Sequence, residues 1–319
     1  LEGVTMSFDW DELVQWTRIA VVGVITLSTV HIAYKIYTSM SHEKGRSHWR
    51  ELAAAIGLID PLVPTALSHS PLSICLDSCT VLTHNVALFR FRLPSPDQIL
   101  GLRVGQHISI AAVVGGKRVV RSYSPTSSVD QRGYFEVVIK RYEGDHALSK
   151  HIHALKPDDT VEVSGPKGHI IYEGRGRFLT GRGEKRERRQ FHTITFIAGG
   201  SGLTPFIQII KSSLEDNSDC TSLHLIFANS TEKDVFFKDE LDVLTSEHSR
   251  RFKVLYTVSK PEPGWPHKVG RADSAEILST VAPPSPDHIV LLCGPNPMVK
   301  AVLTGLKSVN YDEKNIAIF

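Results

Sequence analysis

The hydrophobic pattern divides the chain into three stretches. The first is one long apolar tract, residues 14–37 (VQWTRIAVVGVITLSTVHIAYKIY), with no formally charged side chain between Ile19 and Tyr34. As a helix it would reach about 36 Å at 1.5 Å per residue, against roughly 30 Å of bilayer hydrocarbon. Arg18 and Lys35 bracket the tract and can snorkel, while Trp16, Tyr34 and Tyr37 stand where interfacial aromatics belong. Asp9, Asp11 and Glu12 precede it, and Lys35, Lys44, Arg46 and Arg50 follow it. The positive-inside rule then sets the C-terminal bulk of the chain in the cytosol. A cleaved signal peptide fits poorly, because the tract begins late and ends in β-branched and aromatic residues. The pattern predicts a transmembrane helix in a membrane anchor over 1–40, the other reading being a buried or surface amphipathic helix. Residues 41–72 are polar and then proline-containing (Pro61, Pro64, Pro71), as expected of a tether.

The second stretch, 73–180, reads as short β segments: SICLDSCTVLT, ALFRFRLP, HISIAAVV, RVVRSYSP, GYFEVVIKRY and DTVEVSGP, separated by Gly, Pro, Asp and Asn. Period-2 alternation is clearest in Leu88-Phe89-Arg90-Phe91-Arg92-Leu93. Six such strands predict a small closed antiparallel β-barrel, with one helix near 146–155. The charged loop 181–191, containing GRGEKRERRQ, is expected to be a solvated linker. From 192 to 319 apolar runs such as TITFIA, SLHLIFAN, RFKVLYTVS and HIVLLCG alternate with helical patterns. That rhythm predicts an α/β domain with a parallel sheet covered on both faces.

Composition narrows the function classes. The 319 residues carry 36 basic and 34 acidic side chains, a formal net charge of +2, so electrostatics make no case for nucleic acid. Cys75, Cys79, Cys220 and Cys293 are too few for a disulfide scaffold, and the scattered histidines form no H-E-x-x-H, so no metal site is expected. No G-x-S-x-G elbow supports an α/β hydrolase. The chain opens at Leu1, consistent with a fragment or a processed product.

Several strings carry candidate chemistry. FIAGGSGLTPF (196–206) is a strand, a glycine turn and a helix start, with Pro205 tolerated in the first helical turn. Free N–H groups and the helix dipole make such a turn an anion site suited to a pyrophosphate, though any tight βα turn would look alike. Its Gly200-x-Gly202-x-x-Pro205 spacing departs from the dinucleotide fingerprint G-x-G-x-x-G. In RVVRSYSPTSS (118–128), Arg121 offers a forked phosphate donor, Tyr123 a flat ring and Ser124 a hydroxyl, a set suited to a flavin nucleotide or simply a charged surface strand. Alternation puts Arg121 and Tyr123 on one face and turns Ser122 away. Lys140 ends the strand VVIKRY, and GDHALSK could bring backbone N–H groups to a pyrophosphate; SGPKG (164–168) reads as a turn. Asp234 follows the strand LHLIFA, where it could hold ribose hydroxyls and repel an added phosphate, or act in a helix cap. Cys293 in CGPNPM has no CxxC partner or neighbouring histidine base; it reads as a structural cysteine or as a polarizable wall against a nicotinamide.

Taken together, RSYSPTSS, VVIKRY, GPKG with GRGRF, GGSGLTP, FANSTEKD, YTV, CGPNPM and the final Phe319 resemble, in order and spacing, the NADH–cytochrome b5 reductase family of the ferredoxin–NADP reductase superfamily, over residues 72–319. The resemblance implies an FAD-binding barrel, an NADH-binding α/β domain, and hydride transfer from NADH to FAD followed by single-electron transfer to cytochrome b5 or a similar acidic haem protein. It places Arg121 on the FAD phosphate, Tyr123 and Ser124 against the flavin, and Val138, Ile139 and Lys140 along the cofactor. His146, Ala147, Leu148 and Ser149 fall at the FAD pyrophosphate. Gly200, Gly202, Thr204 and Pro205 surround the NADH pyrophosphate or nicotinamide, Asp234 favours NADH over NADPH, and Cys293, Gly294 and Pro295 flank the nicotinamide. Ser124 and Cys293 are the catalytic candidates. Two departures stand out: His146 replaces the family's usual glycine, and Ser122 its proline. A monomeric catalytic domain on the endoplasmic reticulum or mitochondrial outer membrane is expected. The alternatives are a reductase for another haem or oxygenase chain, and a tethered nucleotide-binding protein without flavin activity.

Overall fold

A computed structural model describes residues 63–67, 70–144, 147–181, 183 and 186–319. The expected anchor over 1–40, most of the expected tether over 41–72 and His146 lie outside the described residues. Among the described residues no helix is long and apolar enough to cross a membrane.

The first sheet is built from β1 (Leu72–Thr83), β2 (Val86–Arg92), β3 (His107–Val114), β4 (Lys117–Tyr123), β5 (Tyr134–Lys140) and, after the short helix α1 (Leu148–His153), β6 (Thr160–Lys167). Its strands pair antiparallel in the order β4-β3-β6-β1-β2-β5. The alternation read in LFRFRL sends Phe89 and Phe91 inward, opposite Val137 and Phe135, where they are buried with Ile74, Leu76, Ile108, Ile110 and Val163. Outward-facing Arg90 pairs with Glu136 at 2.7 Å and lies over the Tyr134 ring. Gly115 and Gly116, both at positive φ, form the tight turn between β3 and β4. The edge strands β4 and β5 share no ladder. The chain beyond β4 reaches β5 through one bridge, Pro125 with Val137, and through Thr126 N–H donating to the Glu136 carbonyl at 2.8 Å.

Next come β7 (Ile171–Tyr172), β8 (Arg177–Thr180) and β9 (Glu187–Gln190), a three-stranded antiparallel sheet. Part of the expected linker is therefore a strand. Its charges find partners that make pairing favourable: Arg188 meets Glu173 at 2.9 Å, and Arg189 lies over the Phe191 ring and donates to the Asn315 side chain.

The second large sheet is parallel and alternates with helices: β10 (Thr193–Gly199), α2 (Thr204–Glu215), β11 (Ser222–Asn229), α3 (Lys238–Glu247), β12 (Phe252–Val258), β13 (Lys268–Val269), α4 (Ala275–Leu278), β14 (His288–Cys293), α5 (Asn296–Ser308) and β15 (Ile316–Ile318). The strand order is β13-β12-β11-β10-β14-β15. Ile194, Phe196 and Ala198 pack with Phe206 and Ile210 of α2 on one face; Ile197, Val290 and Leu292 pack with Val302 and Leu306 of α5 on the other. Burial on both faces is why TITFIA is an unbroken apolar run. The order reverses between β10 and β14, a topological switch point, and ligands of such sheets bind at the carboxyl ends of the strands there. The large sheets belong to one compact unit, Pro64–Phe319, and share a core: Val86 and Val138 of the first are buried with Phe196, Phe206 and Phe227 of the second.

Candidate functional site

At the switch point two glycine turns nest. Gly200 takes φ +52° with open space beside it, a conformation that favours glycine, and a 3-10 turn over Gly200–Leu203 leads into α2. The Thr204 hydroxyl donates to the Ser201 carbonyl at 3.1 Å, and Pro205 occupies the first turn of α2 without losing a helical bond. A Cβ on Gly202 would fall on the carbonyl of Cys293, and one on Gly199 or Gly294 would meet the Met298 thioether. The absence of side chains thus lets the ends of β10 and β14 touch.

These turns form one wall of a cleft of about 840 Å³. The opposite wall comes from the first sheet: Arg121, Ser122, Tyr123 and Ser124 at the end of β4, Val138, Ile139 and Lys140 on β5, and Ala147, Leu148 and Ser149 at the start of α1. Ser201, Gly202, Thr204, Pro205, Cys293, Gly294 and Pro295 complete it. Residues far apart in sequence thus meet in one place. Ser122, paired with Ser109 inside the β3–β4 ladder, also contributes to the cleft wall. Asp234 does not line it. Its carboxylate accepts from the Thr231 hydroxyl at 2.8 Å and from the Lys140 ammonium at 3.1 Å, with 8% of its side chain exposed. Thr231 and Asp234 form a reciprocal capping box, so the capping reading is realised. Gly200 is not among the lining residues.

Sequence reasoning missed His107, Tyr142 and His169 on the cleft wall and left the place of Phe319 open. Phe319 packs edge-to-face on Phe206 at 5.4 Å and lines the cleft. Tyr142 continues VVIKRY, and its hydroxyl lies 3.4 Å from that of Ser201, which the strand's length could have suggested. His107 and His169 are brought together only by the pairing of β3 with β6, which no local pattern encodes.

The electrostatics suit a flat anionic guest. Burial pushes the Tyr123 phenol up to about 12, with Arg121 opposing, so the ring is neutral. Burial likewise pushes the Cys293 thiol up to about 11, leaving no thiolate near neutral pH. Burial would raise the Asp234 carboxyl, but the Thr231 and Lys140 hydrogen bonds outweigh it and hold the group below its ordinary value. Burial, then Lys167 and His169, keeps His107 below the usual imidazole range. Among the described residues the Arg121 guanidinium meets the Val120 carbonyl and no carboxylate, so its charge is free for an anion. A forked cation, a neutral ring and a hydroxyl on one wall fit a flavin nucleotide, and the glycine turns opposite fit a second nucleotide.

Residues 73–172 match the family model of the oxidoreductase FAD-binding domain, and residues 196–304 that of the oxidoreductase NAD-binding domain. The chain is 41% identical over 239 residues to NADH-cytochrome b5 reductase 1 of Dictyostelium discoideum, covering 75% of this chain and 78% of that protein. It is 38% identical over 285 residues to a NADH nitrate reductase of Phaseolus vulgaris, covering 85% of this chain but only 32% of that longer protein. The crystal structure of the cytochrome b5 reductase domain of Ulva prolifera nitrate reductase superimposes with a TM-score of 0.74 at 33% identity, covering 80% of this chain and 99% of that one.

Proposed function

Since the chain belongs to the ferredoxin–NADP reductase/cytochrome b5 reductase superfamily of FAD- and NAD-binding oxidoreductases, we propose that its cleft aligns NADH with FAD for hydride transfer and that the electrons leave singly to cytochrome b5 or a similar acidic haem protein. The observation that supports this best is the convergence of the Arg121–Ser124 segment and the Gly199–Pro205 turn on one cleft. FAD, when bound, supplies what no side chain can, taking two electrons from NADH and releasing them one at a time.

The chain's own residues bind and orient. Arg121 holds a flavin phosphate, the Tyr123 ring packs against the heterocycle, and the Ser124 hydroxyl stands at the hydride-accepting edge. Val138, Ile139 and Lys140 line one side of the cofactor, and Ala147–Ser149 approach its pyrophosphate. Gly200, Gly202, Thr204 and Pro205 receive the NADH pyrophosphate and nicotinamide against Cys293, Gly294 and Pro295. Cys293 acts as a wall here, since its thiol stays protonated. Asp234 acts through Lys140 to set the preference for NADH. No side-chain acid or base is needed for hydride transfer; holding the two rings in contact and in alignment supplies the rate.

The similarity to nitrate reductases favours a second reading for the acceptor, a different haem partner served by the same reductase unit. The apolar tract 14–37 would anchor the unit to the endoplasmic reticulum or mitochondrial outer membrane, with the catalytic part facing the cytosol. Steady-state reduction of purified cytochrome b5 with NADH and with NADPH tests the proposal. Rapid reduction with NADH and little with NADPH is expected. A holoenzyme oxidising NADH with ferricyanide while leaving cytochrome b5 oxidised would reject this acceptor.

A further inference from the structure

Helix α2 opens on the glycine turn and runs back between the two large sheets. One turn beyond Thr204, its Gln208 side chain is 6% exposed and donates from Nε2 to the Ser127 carbonyl at 2.8 Å. Ser127 is 8% exposed and lies three residues beyond Ser124. Among the described residues no other group donates to that carbonyl. Its own segment is held to β5: Pro125 bridges Val137, Thr126 N–H donates to the Glu136 carbonyl, and Glu136 N–H donates to the Ser127 hydroxyl at 3.1 Å. Val138–Lys140 on that same strand line the cleft. A single buried amide therefore ties the helix behind the nicotinamide turn to a rigid unit carrying Tyr123, Ser124 and the β5 wall.

The other ties across the cleft differ in kind. Lys140 with Asp234 is a partly exposed ion pair, and Tyr142 meets Ser201 at the exposed rim at 3.4 Å. At the far end of α2, the Ser213 hydroxyl donates to buried Asp219, which also accepts from Tyr172, so that end is fixed independently. With the C-terminal end of α2 fixed, Gln208 supplies a directional hydrogen bond near its N-terminal end, beside the non-directional packing of Phe206 in the shared core.

We propose that Gln208 is a positioning residue for hydride transfer, holding the nicotinamide turn at its working distance from the flavin wall through the Ser127 carbonyl. This rests on the reading of the cleft given above. Hydride transfer is steep in distance, and a displacement of about 1 Å can cost about a hundredfold in rate. Gln208 touches neither cofactor in this assignment, so its loss should change alignment more than affinity.

The test uses FAD-loaded full chain carrying Gln208→Leu and, separately, Gln208→Met, both near-isosteric and unable to donate. Both should keep their FAD and their fold, with a melting temperature lowered by a few degrees because the Ser127 carbonyl loses its donor. Single-turnover flavin reduction at saturating NADH should slow about 10- to 100-fold, while the apparent Kd for NADH stays within about threefold. As a readout independent of turnover, NAD+ added to dithionite-reduced holoenzyme should give a weaker long-wavelength charge-transfer band than in the parent, because that band reports ring overlap. Rates within about twofold of the parent and an unchanged band would overturn the proposal. Loss of FAD or of the folded state in both variants would overturn it too, since the bond would then serve the fold and not alignment. A parent whose flavin NADH leaves oxidised would instead refute the functional reading, and the NAD+ band would still report on alignment.

Discussion

The carbonyl oxygen of Cys293 occupies the place where a side chain on Gly202 would begin. The obstruction is backbone, so no rotamer change relieves it. Gly202→Ala should push β10 and β14 apart at their carboxyl ends, costing about 1–3 kcal/mol as overpacking does. NADH-dependent flavin reduction should fall at least about tenfold, since the turn loses its place. Thermal melting and stopped-flow absorbance check the two halves; a variant with parental stability and rate would contradict the packing described.

The thiol of Cys293 sits at the cleft wall but is held protonated by burial, at about 11. Cys293→Ala should therefore retain flavin reduction within about fivefold, the loss reflecting packing alone. In the folded parent, Cys293 should resist iodoacetamide at pH 8 and react after denaturation, as peptide mass spectrometry would show. Rapid alkylation of the native protein, or an inactive Ala variant that binds both cofactors, would give the thiol a chemical role.

Much of this architecture is readable from the chain. The period-2 pattern of LFRFRL marks which side chains of β2 turn inward, and the apolar run TITFIA reports a strand buried on both faces. The glycine turn and Arg121–Ser124 are recognisable because backbone conformation and charge are local properties. What was hidden depends on distant pairing. β9 lies in a charged stretch that reads as loop until Glu173 and Asn315 supply partners for its arginines. His107 and His169 reach the cleft only through the register of β3 with β6. Asp234 was identified by its place after β11, yet the residue that captures its carboxylate comes from β5, 94 positions away.

That capture makes the proposed role of Asp234 in coenzyme choice testable. Replacing Asp234 with Ala removes the carboxylate and leaves Lys140 free to meet a 2′-phosphate. kcat/KM for NADPH should rise about tenfold or more relative to that for NADH. Stability should fall by about 1–3 kcal/mol, less than for a fully buried pair because Lys140 keeps 22% exposure. Unchanged discrimination between the coenzymes would remove Asp234 from the specificity argument.

A buried histidine sets a pH dependence. His288 is 2% exposed, with Nε2 2.9 Å from the Thr195 hydroxyl and Nδ1 3.1 Å from that of Tyr311. Burial lowers its pKa, the Pro283 carbonyl opposes this, and His224 adds to it. The unfolded chain takes up this proton near pH 6.5, above the folded value, so the stabilisation is complete above about pH 6.5 and is lost as pH falls toward the folded pKa. His107, His153, His224 and His267 are lowered in the same direction. The melting temperature should be flat above neutrality and decline below it, and His288→Gln should shallow that decline. An identical slope in the variant would assign the pH dependence to other groups.

The central claim is that one cleft brings NADH to a bound flavin, and anaerobic titration of the purified FAD-loaded protein with NADH tests it most directly. The account predicts that the oxidised flavin absorbance bleaches stoichiometrically, one NADH per FAD, and returns when cytochrome b5 is added. A flavin that stays oxidised in excess NADH would contradict it.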